Sequence, residues 1–211
     1  MFFKVKRSID ILLSFIGLIV LLPLFAVIII AIKLETRGPV FFKQKRIGIH
    51  KTTFNMLKFR TMRIDTPKDT PTHLLEDAHK HITKVGGILR KTSLDELPQI
   101  WNIFVGQMSV IGPRPALWNQ YDLMSERDLY GANDVLPGLT GLAQISGRDE
   151  LSIEVKAEID GEYVDNIGCW MDTKCFFGTI LSIAKSDGVV EGVTATKVNK
   201  KSINSKENMS K

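Results

Sequence analysis

Cysteine is scarce: the chain of 211 residues has two. A disulfide-stapled fold is thereby excluded, and Cys169 and Cys175 stand at neither a zinc nor a redox spacing. Lying in an apolar stretch, they read as buried free thiols in a reducing compartment. Internal repeats are lacking too, which removes solenoids and propellers. Acidic residues are outnumbered, 23 against 28 Lys and Arg, and the formal charge of +5 asks for an anionic partner. Nucleic acid, an acidic membrane surface and a phosphorylated substrate all meet that demand. His73, His79 and His81 read as a solvated helical face rather than as metal ligands. Low complexity is confined to the Lys-, Ser- and Asn-rich tail from Lys197 to Lys211, which is expected to be disordered.

What the chain does have is one long apolar run, Ile11 to Ile32, enough to cross about 30 Å of hydrocarbon. It is too long for a signal peptide, and no small-residue cleavage site follows it. Hydrophobicity on every side argues against a buried core helix, so the run belongs in lipid. Lys4, Lys6 and Arg7 precede it, and Lys33, Arg37, Lys43, Lys45, Arg46 and Lys51 follow, so both flanks ask for the cytoplasmic side. Pro23, near the middle, deletes a backbone hydrogen bond and is expected to bend the helix. A re-entrant hairpin that dips into one leaflet and returns answers both flanks better than a straight span does. Asp10 is expected at headgroup level, because a carboxylate at the bilayer centre is costly.

Beyond the run, Val40–Phe42 and Thr53–Lys58 read as short strands around Gly48. Asp65–Thr72 is a polar loop. Helices are expected over His73–Thr83, Leu97–Val105, Leu117–Leu129, Ile153–Asn166 and Met171–Lys185.

Three segments carry residues suited to chemistry. In the first, Ser93 and Glu96 have capping-box spacing, but Pro98 favours a helix that starts at Pro98 itself. Asp95 and Glu96 then lie at a helix N-terminus, whose dipole should lower a carboxylate pKa. Two adjacent acids flanked by Arg90 and Lys91 suggest a metal or phosphate site. In the second, Gly112-Pro113-Arg114-Pro115 fixes the backbone on both sides of one guanidinium, which suits a bidentate grip on phosphate; a plain turn is the alternative. The third, Pro137-Gly138-Leu139-Thr140-Gly141-Leu142-Ala143-Gln144-Ile145-Ser146-Gly147-Arg148, implies tight turns and close backbone approach. It matches neither a dinucleotide fingerprint nor a P-loop.

Taken together, Lys58-Phe59-Arg60-Thr61-Met62, Ser93-Leu94-Asp95-Glu96-Leu97-Pro98-Gln99, Gly112-Pro113-Arg114-Pro115 and Pro137-Gly138-Leu139-Thr140-Gly141 resemble the bacterial sugar transferases, the monotopic phosphoglycosyl transferases. The likeness runs from about Lys6 to about Gly188, with the motifs in family order. It implies that Asp95 is the nucleophile and Glu96 its partner, in a reaction that moves a sugar-phosphate from a UDP-sugar onto undecaprenyl phosphate. An aspartyl phosphosugar would be the intermediate and UMP the released product, with Mg2+ bound near Asp95. By position in the motifs, Arg60, Arg90 and Arg114 would hold phosphates, and Arg148 would reach the nucleotide sugar. Glu158, Asp160 and Asp172 match acidic positions of the family pattern, with structural acids as the other reading. The chain departs from the pattern at Leu136, where the family often has Arg, and at Ala143, where it often has Trp.

The resemblance thus implies an α+β fold, mostly helical with short strands, in a monotopic membrane protein. Its expected division is a membrane-embedded re-entrant helix over 1–36, a cytoplasmic catalytic domain over 37–190 and a polar tail over 191–211. The location implied is the cytoplasmic face of the bacterial inner membrane, as a minimal version without a multi-span N-terminal domain. The product would enter a surface glycan such as a capsule, an O-antigen or a protein-linked oligosaccharide. A homo-oligomer and downstream glycosyltransferases are admitted as partners, nucleic acid is not, and the sugar is left open. A membrane scaffold for glycan-assembly enzymes, a nucleic-acid binder and a plain glycosyl transferase are the competing readings.

Overall fold

The computed structural model describes residues 2–66, 78–147 and 151–185, in which helices and two small sheets are mixed. Phe2–Val20 (α1) and Leu22–Glu35 (α2) are separate helices bent by 59° about Leu21. The expected bend at Pro23 is therefore displaced towards the N-terminus. Proline sits in the first turn of α2, where its missing N–H would have had no intrahelical partner, so it begins a helix rather than kinking one. Among the described residues no single helix is long and apolar enough to cross a membrane, although the bent pair together has the length and composition.

The first helix is docked onto the rest of the chain along its length. Arg7 donates to the carbonyls of Ile103 and Phe104, at 2.6 and 2.8 Å, where the helix Gln99–Phe104 (α5) ends and its carbonyls lack intrahelical donors. Phe15 stacks on Phe104. Lys6 pairs with Asp172, 2.6 Å away on the helix Cys169–Lys185 (α9). Asp10, the residue expected at headgroup level, is buried against the protein. It is 3% exposed and faces the strand Ser109–Ile111 (β3), accepting from Ser109 Oγ at 2.8 Å and from the Val110 N–H at 3.0 Å. Two donors make that burial tolerable, and this is why the carboxylate turns to the protein.

Phe41–Ile47 (β1) and Thr53–Phe59 (β2) form an antiparallel hairpin, with Phe41 opposite Phe59 and Ile47 opposite Thr53. The first strand runs well past the expected Val40–Phe42. At the end of β2, Phe59 is buried with Ile28 and Ile32 of α2 and with Leu89 of the helix Lys84–Lys91 (α4). A short helix, Ala78–His81 (α3), precedes α4; of the expected helix 73–83 the first five residues lie outside the described ones, and Ile82 and Thr83 are not helical. The expectation missed α4, whose Gly86-Gly87 pair weakens its helical signal. Thr83 caps it by accepting from the Gly86 N–H at 2.9 Å.

The second sheet pairs β3 with Gly138–Thr140 (β4) in parallel, Ser109 opposite Gly138 and Ile111 opposite Thr140. Its glycines serve backbone contact rather than turns. A Cβ on Gly138 would lie 2.2 Å from the Gly112 nitrogen, and one on Gly141 would lie 2.1 Å from the Gly112 oxygen. The Gly-Pro-Arg-Pro and Pro-Gly-Leu-Thr-Gly motifs are thus pressed together main chain to main chain, which any side chain there would prevent.

Tyr121–Asp128 (α6) starts later than the expected Leu117, because the Leu117 N–H is taken by the Gln120 side chain, at 2.7 Å, and Leu117 bridges to Arg46. Leu142–Ser146 (α7), Ile153–Asp165 (α8) and α9 complete the described chain. Around Tyr163, Met171, Cys175, Leu142 and Ile111 they build one of the hydrophobic clusters. The two thiols differ. Cys175 is buried and its pKa is pushed up to about 11 by burial and by Asp172, whereas Cys169 is exposed. A maleimide at neutral pH should therefore label the folded chain once, at Cys169, and the Cys169→Ser variant only after denaturation. Rapid labelling of native Cys169→Ser would refute this arrangement.

Candidate active site

The site assembles from the end of β2, the segment after α4 and the loop after β3. Ser93 adopts a left-handed conformation, φ 56°, and makes no side-chain cap bond, so the capping box that its spacing allows does not form. Instead Ser93 turns the chain out of α4 into one turn of 3-10 helix, Leu94–Glu96, with Pro98 immediately ahead of α5. That turn presents Asp95 and Glu96 side by side.

Their environments differ. Glu96 is clamped: Arg114 donates from Nη2 to Oε1 at 2.6 Å and from Nη1 to Oε2 at 3.3 Å, and Lys58 Nζ donates to Oε1 at 2.7 Å. Burial alone would raise its pKa, but the charges of Arg114 and Lys58 outweigh burial and hold the carboxyl well below its ordinary value. Asp95 is 8% exposed and accepts no hydrogen bond from the described residues. Its pKa is raised, first by burial and also by the Glu96 charge, while Lys58, Arg90 and Arg114 draw it partly back. Asp95 thus departs from the lowering expected of a helix N-terminus, because a single 3-10 turn offers little dipole and desolvation dominates. The result is an acid pair in which one carboxylate is held by two cations and its neighbour's oxygens are uncommitted among the described residues.

The predicted phosphate ligands are only partly gathered. Arg114 is at the pair. Arg90, on α4, acts on Asp95 by charge and donates from Nε to Thr61 Oγ1 at 2.8 Å. Arg60 is placed differently: its buried Nη1 and Nη2 donate to the carbonyls of Arg37 and Thr36 and to Thr36 Oγ1, at 2.6 to 2.9 Å, and Nε has no partner among the described residues. It pins the exit of α2 beside a cleft lined in part by Arg37, Arg63, Lys80 and Lys84. Arg148 lies outside the described residues. Asp160 forms a buried ion pair with Arg127, Asp172 receives Lys6 and the Tyr163 hydroxyl, and Glu158 is exposed. Lys58 is the residue whose role the sequence reading missed. The signal was there, since Phe59 is a core residue of the strand and alternation sends its neighbour to the other face.

No group of three His, Cys, Asp or Glu side chains suited to a metal occurs among the described residues. A magnesium ion that arrives with a diphosphate needs only one or two carboxylates from the protein. Asp95, with no donor on its oxygens among the described residues, fits that part, and Glu96, with both oxygens taken, does not.

The chain is 41% identical over 161 residues to the uncharacterized sugar transferase EpsL of Bacillus subtilis, covering 76% of this chain and 78% of that one. It is 39% identical over 199 residues to the exopolysaccharide production protein ExoY of Sinorhizobium fredii, covering 87% of each. Over 183 residues it is 38% identical to the UDP-glucose:undecaprenyl-phosphate glucose-1-phosphate transferase of Escherichia coli, covering 83% of this chain but 39% of that longer protein. Residues 1–186 match a single family along their whole length, and the chain belongs to it: the bacterial sugar transferases.

Proposed function

We propose that this enzyme transfers a sugar 1-phosphate from a UDP-sugar to undecaprenyl phosphate and releases UMP, with Asp95 as nucleophile. The observation that carries the reading is the unequal acid pair. Phosphoryl transfer asks mainly for alignment and for charge stabilisation. An Asp95 oxygen attacks the β-phosphorus of the donor, the bond from that phosphorus to the bridging oxygen breaks, and its electron pair leaves with UMP. Undecaprenyl phosphate then attacks the same phosphorus through one of its oxygens, the bond to Asp95 breaks, and the carboxylate is restored. Lys58 and Arg114, held on Glu96, keep positive charge beside the phosphorus in both displacements. A bound magnesium ion would neutralise diphosphate charge, held by Asp95.

The names of relatives support the reaction class and leave the sugar open: glucose for the Escherichia coli protein, N-acetylgalactosamine for one from Aeromonas hydrophila, which is 35% identical. ExoY's name connects such chemistry to exopolysaccharide, and an early membrane step of surface glycan synthesis is the role proposed here. A UMP-release screen over a panel of UDP-sugars, with undecaprenyl phosphate and magnesium, tests the reading. Release of UDP instead would convert it to plain glycosyl transfer.

The same reading puts α1 and α2 in one leaflet of the inner membrane, with the rest on its cytoplasmic face. Supporting it are the exposed apolar residues Leu12, Leu13, Phe15, Ile16 and Ile19 on α1 and Leu22, Val27 and Ile30 on α2. The 59° bend between them supports it as well. Single cysteines placed at Phe3 and at the exposed Lys43 in a Cys169→Ser background should both be shielded from an impermeant maleimide in intact cells. Labelling of one end alone would mean a span.

A further inference from the structure

Asp10 is the most deeply buried charged group of the N-terminal helix pair, and the transfer chemistry above makes no use of it. Its two oxygens are spent on consecutive residues of β3, Ser109 through the hydroxyl and Val110 through the main chain. A second tie reaches the same strand. Lys6 holds Asp172, Asp172 Oδ1 lies 2.8 Å from the Tyr163 hydroxyl, and that hydroxyl lies 3.2 Å from the Ile111 carbonyl. Lys6 and Asp10 are one helical turn apart on α1, and Ser109, Val110 and Ile111 are the whole of β3. The strand leads directly into Gly112-Pro113-Arg114-Pro115, whose prolines leave little slack before the guanidinium that clamps Glu96. Wherever α1 holds β3, Arg114 must follow.

We propose that Asp10 is a positioning residue for the transfer reaction: by anchoring β3 to the first helix it sets the place of Arg114 against Glu96. The proposal rests on the transfer reading for its consequence in rate, but its geometry stands apart from it. Replacing Asp10 by Ala strips both acceptors from β3. Replacing it by Asn preserves the shape, with Oδ1 for the Val110 N–H and an amide that can donate to Ser109 Oγ.

The experiment uses the full chain in nanodiscs of phosphatidylethanolamine and phosphatidylglycerol. Hydrogen exchange needs no donor sugar: Asp10→Ala should speed exchange over 109–115 by about tenfold or more and leave α6 and α8 as in the parent. Single-turnover UMP release should fall by about tenfold in Asp10→Ala and recover to within about threefold of the parent in Asp10→Asn. In an Arg114→Ala background the same Asp10→Ala change should cost less than about threefold, because the group it acts through is gone. Equal losses in both backgrounds, exchange unchanged over 109–115, or exchange raised equally across α6 and α8 would each overturn the proposal. A parent enzyme that releases no UMP from any donor would sink the transfer reading, and the exchange result alone would then decide whether Asp10 holds the strand.

Discussion

Asp95→Asn should abolish UMP release, by about 10³-fold or more, while the protein still folds and stays with the membrane. Folding should not suffer, because the substitution removes a buried carboxylate that accepts no hydrogen bond from the described residues and is destabilised by burial. The sharper readout omits the lipid acceptor. A covalent first step lets the parent exchange labelled UMP into the UDP-sugar with no undecaprenyl phosphate present, and the Asn variant should show no exchange. Exchange by Asp95→Asn at the parent's rate would end the assignment. Glu96→Gln should behave differently. It leaves Lys58 and Arg114 in place but without their anion, so the rate should fall by about 10² to 10³ with some exchange remaining. The pH dependence follows from the sign of the Asp95 shift. Its pKa lies above the ordinary 3.8, so the ionised fraction falls on acidification sooner than for an exposed aspartate. The acid limb of UMP release should lie above that value and shift further up when Lys58, the largest charge lowering it, is changed to Met.

How much of this was written in the sequence depends on whether neighbours or distant residues decide the matter. Strand β2, helices α8 and α9 and the break between the first two helices follow from local patterning, and the order of motifs disclosed the family. Three things did not follow. The burial of Asp10 was not legible, because nothing near it in sequence names Ser109 and Val110 as its partners. Arg60 looks like a phosphate ligand by its place in a motif, yet its two terminal nitrogens donate to the carbonyls at the end of α2. Asp95 has a raised rather than lowered pKa because desolvation, a property of the assembled site, exceeds what one turn of helix supplies. Each turns on a tertiary partner that local propensity cannot encode. The glycines lie between these cases: close backbone approach was legible, but that Gly138 and Gly141 both close on Gly112 required the parallel pairing.

Breaking the buried pair of Arg127 and Asp160 should produce the largest loss of stability of any single side-chain change outside the site. Arg127 on α6 donates from Nε and Nη2 to Asp160 Oδ2 on α8, at 2.8 and 2.5 Å, and the side chains are 7% and 1% exposed. Asp160 Oδ1 is buried with no described partner. Burial raises the Asp160 pKa and Arg127, ahead of the weaker pull of Lys156, draws it back, so Arg127→Leu would leave a buried carboxylate without its hydrogen-bonded cation. A cost of about 3–5 kcal/mol is expected, which in a chain of this size corresponds to a Tm lower by roughly 6–20 °C. The pH dependence gives the loss its signature. A carboxyl with a raised folded pKa takes up its proton more readily folded than unfolded, so the penalty is full above that pKa and shrinks as the pH falls through it. The Tm gap between parent and Arg127→Leu should accordingly narrow from pH 8 to pH 5, and adding Asp160→Leu should restore most of the loss at both. UMP release per folded molecule should stay within about threefold of the parent in the double variant, since the pair joins two helices and touches neither Asp95 nor Glu96. A collapse of turnover with stability restored would instead make Asp160 one of the working acids of the family pattern.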